Sequence, residues 1–150
     1  MNILTFDSHE KLHQAAAGII AGLVQTNPKA VLGLATGGTP VGIYEELVKL
    51  HRSGLVSFKS ATSFNLDEYV GIPADHPESY HAYMNKHLFS LTDFSPERTH
   101  IPNGNAKDPE QECVRYDTLL ESVGQIDLQL LGLGHNGHIG FNEPDRSLKN

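Results

Sequence analysis

Apolar and polar positions alternate in two rhythms along this 150-residue chain. Short runs rich in β-branched and apolar residues occur at NILTF (2–6), AVLGLAT (30–36), SATSFNL (60–66), RTHIP (98–102) and IDLQLLGLG (126–134), and each is expected to form a strand. Longer segments with apolar residues at helical spacing separate them. Leu12, Ala16, Ile19, Ile20 and Leu23 mark one face of a first helix, capped by Asp7 or Ser8 and ended by Pro28. Glu10 lies at capping-box distance from Asp7. A second helix is predicted from Pro40 to Gly54, a third within PESYHAYMNKHLF, and a fourth within DPEQECVRYDTLLESVG with Pro109 in its first turn. Tyr80, Tyr83, Leu88 and Phe89 share helical spacing in the third and are assigned to the core.

Strands alternating with helices imply parallel pairing through crossover helices. AVLGLA and LQLLGLG carry apolar residues on both faces, as strands covered from both sides require. The expectation is a doubly wound, Rossmann-like α/β fold with a mostly parallel sheet and helices on both faces. No repeat or linker interrupts it, so residues 1–150 are read as a single domain, long enough to bury roughly 70% of the surface its unfolded chain exposes. In such folds ligands bind outside the carboxyl ends of the strands. Three strands are followed there by unusual loops: ATGGTP, NLDEYVG and GHNGHIGFNEP.

Composition narrows the class of partner. A net charge of −7 argues against general nucleic-acid binding, which needs a basic patch or stripe. It does not disfavour a small anionic ligand. The single cysteine, Cys113, excludes an internal disulfide and suits a reducing cytoplasm. Neither a signal-peptide pattern nor an apolar run long enough to span a bilayer is present, so no membrane partner is expected.

Each loop has its own chemistry. In Thr36-Gly37-Gly38-Thr39-Pro40 the glycines let backbone approach a ligand, and Thr39 is placed to cap the following helix. That nest suits phosphate, although it matches neither a Walker loop nor GxGxxG, and a plain strand-to-helix turn explains it as well. Asp67 ends a strand, where a carboxylate in a partly dry cleft can act as a base; the simpler alternative has it capping a turn beside a solvated Glu68. GHNGHIGFNEP carries the strongest signal. His138 can move protons near neutral pH, Glu143 is close enough to orient its other ring nitrogen, and Asn136 adds a donor and an acceptor. A metal site from His135, His138 and Glu143 is disfavoured, because glycines interrupt the segment and no H-E-x-x-H spacing occurs. No G-x-S-x-G elbow is present, Cys113 falls inside a predicted helix, and surface or capping positions account for most other histidines, His76 among them.

Taken together, LGLATGGTPVGIYEEL, FNLDEYVGIPADHPESYHAYM and LLGLGHNGHIGFNEP resemble the glucosamine-6-phosphate deaminase family, in its order and spacing, over essentially the whole chain. The resemblance implies conversion of glucosamine 6-phosphate and water to fructose 6-phosphate and ammonia, with no metal or organic cofactor. It implies that Asp67 moves the C2 proton to C1, and that His138, with Glu143 and Asn136, opens the pyranose ring. Thr36, Gly37, Gly38 and Thr39 match the loop that contacts sugar and phosphate, and Gly132 and Gly140 match backbone contacts to the sugar.

Two departures from the family pattern stand out. Some members carry aspartate where this chain has Asn136, which leaves Glu143 as the expected carboxylate partner of His138. Members also continue well beyond the position of Asn150. The chain is therefore expected to hold the N-terminal part of the family's domain, to lack the lid and the basic residues completing the phosphate site, and to bind phosphate weakly. Two competing functions are a non-catalytic sugar-phosphate-binding module, which has no use for Asp67, His138 and Glu143 together, and a 6-phosphogluconolactonase-type hydrolase, which the GFNEP ending disfavours. Oligomeric state and allosteric control are left open.

Overall fold

The computed structural model describes residues 2–145. Four helices and four strands follow in the order α1 (His9–Thr26), β1 (Val31–Leu34), α2 (Val41–Arg52), β2 (Thr62–Asn65), α3 (Tyr80–His87), β3 (Thr99–His100), α4 (Pro109–Val123) and β4 (Leu128–Gln129). Short 3-10 turns at Phe89–Leu91 and Pro96–Arg98 separate α3 from β3.

The strands form one parallel sheet in the order β3-β2-β1-β4. From β1 the chain winds outward through β2 to β3, then returns past β1 to add β4 on its far side. The reversal puts a topological switch point between β1 and β4, where the loops leaving their carboxyl ends diverge and open a crevice.

Both faces of the sheet are covered, as β1 requires with all four residues buried. Leu32 and Leu34 pack with Ile20 and Val24 of α1, Tyr44 and Leu47 of α2, and Met84 of α3 in the larger core. Val31 points to the other side and packs with Phe64 and with Tyr116 of α4. The Tyr116 hydroxyl donates to the Asn65 carbonyl at 2.8 Å and lies 2.9 Å from the His100 carbonyl, tying α4 across the ends of β2 and β3.

The helix starts follow the capping residues, with differences in detail. Ser8 rather than Asp7 caps α1, its Oγ accepting from the Lys11 amide at 3.3 Å, so Glu10 has no capping-box role and pairs with Gln14 instead. Asp108 caps α4 ahead of Pro109, and Gly124 closes it at a φ of 94°. Helix α3 starts later than its pattern suggests because Ser79 caps it, accepting from the Ala82 amide at 3.0 Å.

The expected strand at NILTF does not form: Ile3 is 73% and Leu4 70% exposed, and residues 2–6 pair with nothing in the described sheet. The last two expected strands shorten to two residues each, Thr99–His100 in register with β2 and Leu128–Gln129 with β1.

Candidate active site

The three loops singled out in the sequence meet in one cavity of about 240 Å³ at the carboxyl edge of the sheet. After β1 come Ala35, Thr36, Gly37, Gly38 and Thr39; after β2, Leu66 and Asp67; after β4, Leu131 to Gly134, His138 and Gly140. All six predicted substrate-contact residues, together with Asp67 and His138, thus line the same space. The described lining contains no lysine or arginine.

The loop after β1 leads straight into α2. Pro40 occupies the cap position, one residue ahead of its expected place, and no side chain caps the helix. Thr39 therefore does not play the predicted capping role, and the first-turn amides of α2 have no side-chain acceptor. Gly37 adopts a φ of 98°, which a side chain resists, and its carbonyl accepts from the Tyr83 hydroxyl at 2.6 Å. Burial pushes the Tyr83 phenol up to about 12.

Asp67 is half-buried, and that burial is the main reason its carboxyl lies above the ordinary carboxylate value of 3.8. The Phe141 amide stabilises the ionised form and so opposes this shift, while the neighbouring Glu68 charge adds to it. Glycine at position 140 is needed for this approach. Its φ is 60°, and a β-carbon there would stand 3.0 Å from Asp67 Oδ2.

His138 is held differently from expectation. Its Nδ1 lies 2.6 Å from Asn136 Oδ1, while Asn136 Nδ2 donates to Glu143 Oε2 at 2.6 Å. Glu143 reaches the imidazole only through Asn136, which corrects the expected direct contact. The relay has a chemical consequence. A carboxylate only accepts, so the amide must present its NH2 to Glu143 and its oxygen to the ring. His138 Nδ1 then carries a proton, and Nε2 is the nitrogen left for proton exchange. Gly134 makes room for the ring, since a β-carbon there would lie 2.2 Å from His138 Cε1.

Two residues at the site escaped the pattern. Tyr80 lines the cavity instead of the core, with burial the largest cause raising its phenol pKa. Its ring lies 5.0 Å from that of Tyr69 and 5.9 Å from that of Phe141, centre to centre. Glu68 turns away from the cavity and is buried, not solvated. His135 is exposed, and His76 accepts from the Glu78 amide within the loop before α3. Among the described residues no three His, Cys, Asp or Glu side chains gather as a metal-ligand set, and no helix is long and apolar enough to cross a membrane.

The fold and the site together define a class: parallel α/β proteins with a polar cleft at the switch point of the sheet. The chain belongs to the family of glucosamine-6-phosphate isomerases/6-phosphogluconolactonase, whose model matches residues 7–141. It is 54% identical over 144 residues to glucosamine-6-phosphate deaminase of Bacillus velezensis, covering 96% of this chain and 60% of that protein. It is 52% identical over 149 residues to glucosamine-6-phosphate deaminase 1 of Bacillus subtilis, covering 99% of this chain and 62% of that one. A solved monomeric glucosamine-6-phosphate deaminase of the NagB superfamily superimposes at a TM-score of 0.96 with 52% identity, over 100% of this chain and 62% of that chain. The 6-phosphogluconolactonase of Thermotoga maritima superimposes at 0.76 with 23% identity, over 93% of this chain and 62% of that one, which shows the shared fold alone. The chain thus spans about three fifths of the length of these relatives.

Proposed function

We propose that this chain carries the proton-transfer machinery of a glucosamine-6-phosphate deaminase, converting glucosamine 6-phosphate and water to fructose 6-phosphate and ammonia. The observation that carries the reading is the convergence of Asp67 and His138 on one cavity from separate strand-end loops. Ring opening requires a group that takes a proton from the C1 hydroxyl and gives one to the ring oxygen. His138, with Nδ1 committed to Asn136, has Nε2 for both transfers. Isomerisation requires a base near C2. Asp67 takes the C2 proton, and the electron pair of that bond becomes the C1=C2 bond as the C1 carbonyl π pair moves to its oxygen, which takes up a proton to give the enol; the proton held by Asp67 returns at C1 as the amine lone pair forms C2=N. The resulting C2 imine is hydrolysed by water, which supplies the ketone oxygen as ammonia leaves.

The phosphate belongs at Thr36–Thr39, where backbone amides and the uncapped start of α2 favour an anion. Among the described residues no lysine or arginine lines this cavity, so those amides carry the attraction there. The single exposed cysteine, Cys113, suits a cytoplasmic setting.

The test is product formation from glucosamine 6-phosphate by this chain and by the same sequence within a protein of its relatives' length. Fructose 6-phosphate and ammonia in equal amounts support the proposal. Sugar-phosphate binding by the longer form without either product contradicts it and favours the non-catalytic module. Product from the longer form alone assigns the difference to residues beyond the 150.

A further inference from the structure

We infer that Glu68, which never enters the cavity, is the positioning residue that holds Asp67 and Tyr80 in it. The inference rests on the functional reading above for what the cavity does, and on geometry alone for how it is held. Asp67 and Glu68 are consecutive carboxylates with opposite fates. Asp67 faces the cavity, while the Glu68 side chain is 1% exposed and surrounded by donors. Its Oε1 accepts from the Tyr69 amide at 2.9 Å and from the Tyr80 amide at 3.0 Å. Its Oε2 accepts from the Tyr80 amide at 2.9 Å and the His81 amide at 3.2 Å, with His81 Nδ1 also 3.2 Å away.

These contacts join two parts of the site that the chain separates by a long loop. One end is the backbone immediately after Asp67, fixed through Tyr69. The other is the first turn of α3, fixed through Tyr80 and His81. The first amides of a helix have no intrahelical partner, so an acceptor placed there decides where the helix starts and which way its first side chains leave. Tyr80 is the first residue of α3, and its ring enters the cavity from that point. The loop is further closed by the Gly71 amide donating to the Gly104 carbonyl at 2.6 Å, and a β-carbon on Gly104 would stand 2.9 Å from Glu68 Cγ. Ser79 already supplies an ordinary cap to α3 through Ala82, so Glu68 is not needed merely to begin a helix. Its distinct contribution is to fasten α3 to the strand end that bears Asp67.

Both Glu68 oxygens must accept. A glutamine keeps the shape but turns an NH2 group toward amide donors, leaving buried groups unpaired. The test therefore pairs Glu68→Gln with Ser79→Ala, which weakens the same helix through its ordinary cap. Contacts between the rings of Tyr80 and Phe141, followed by NMR in the ligand-free chain, are expected to persist in Ser79→Ala and to disappear in Glu68→Gln. In the form that turns over glucosamine 6-phosphate, Glu68→Gln is expected to lower kcat at least tenfold with KM nearly unchanged, whereas Ser79→Ala lowers Tm and leaves kcat alone. If Glu68→Gln does not fold, the unaltered protein decides: the Tyr80 and His81 amides should exchange about tenfold or more slowly than free helix-start amides. Exchange at the free rate, or ring contacts and kcat preserved in Glu68→Gln, overturns the inference. If no form yields product, the functional reading fails, and the ring contacts and amide exchange still decide the role of Glu68.

Discussion

The two sides of the cleft are built on opposite plans. On the Asp67 side the cavity carboxylate is tied into the body of the protein. Glu68 binds α3 to the end of β2, and Tyr116 of α4 donates to the Asn65 carbonyl at the same strand end. On the His138 side the bonds are local. Asn136, His138 and Glu143 hold one another within an exposed loop, and the Gly134 amide donates to the His138 carbonyl across it. The difference follows from the sheet. β2 lies inside the four-stranded sheet and is covered by helices, whereas β4 is a two-residue strand at its edge. Asp67 is placed by long-range packing. The imidazole is oriented by its own loop.

The contrast can be broken from either side. On the His138 side the largest effect is expected from Gly134→Ala. Its β-carbon would collide with the His138 ring, and because a side chain rather than backbone must give way, activity should fall about 100-fold while Tm stays near that of the parent. A loss of Tm matching the loss of activity would show that this loop is not self-contained. On the other side, Tyr116→Phe leaves the Asn65 and His100 carbonyls without their hydroxyl donor and should cost about 1–3 kcal/mol in denaturant unfolding. A cost as small as that of an exposed substitution would detach α4 from the site's support.

Smaller effects refine the comparison. Asn136→Asp places a carboxylate against His138, which should preserve activity but move the pH profile upward by favouring imidazolium. An unchanged profile would count against the direct contact. Asp67→Asn should also change stability, with a sign set by burial. The Asp67 carboxyl titrates above its ordinary 3.8, so the folded state prefers it neutral. Stability is then undiminished below pH 3.8 and falls as pH rises through the folded-state value. The variant should therefore melt higher than its parent at pH 7, with the gain vanishing as pH approaches 3.8. A gain independent of pH would place its cause elsewhere.

These contrasts also mark what sequence patterns reveal. Runs such as AVLGLAT show their burial on both faces, because a covered strand leaves no polar alternation, and a cap such as Ser8 acts on a neighbour three residues away. The ligand edge was legible for a related reason: strand direction alone sends ATGGTP, NLDEYVG and GHNGHIGFNEP to the same end of the sheet. Long-range events stayed hidden. Nothing in Asp67-Glu68 distinguishes a cavity carboxylate from a buried one until α3 arrives with unpaired amides. Tyr80 has the spacing of a core residue and becomes a cavity wall only because α3 starts beside β2. Spacing likewise could not say that Asn136 stands between His138 and Glu143, and NILTF has the pattern of a strand yet pairs with none in the described sheet.

The central claim is that Asp67 is the base that moves the C2 proton in a cavity it shares with His138. It is tested most directly by the rate of fructose 6-phosphate formation from glucosamine 6-phosphate, compared between the parent and Asp67→Asn in a protein of the relatives' length. The account predicts a fall in kcat of about 10²–10⁴-fold with KM changed little, because only the proton transfer is lost. A variant that keeps most of the parent's kcat would contradict it.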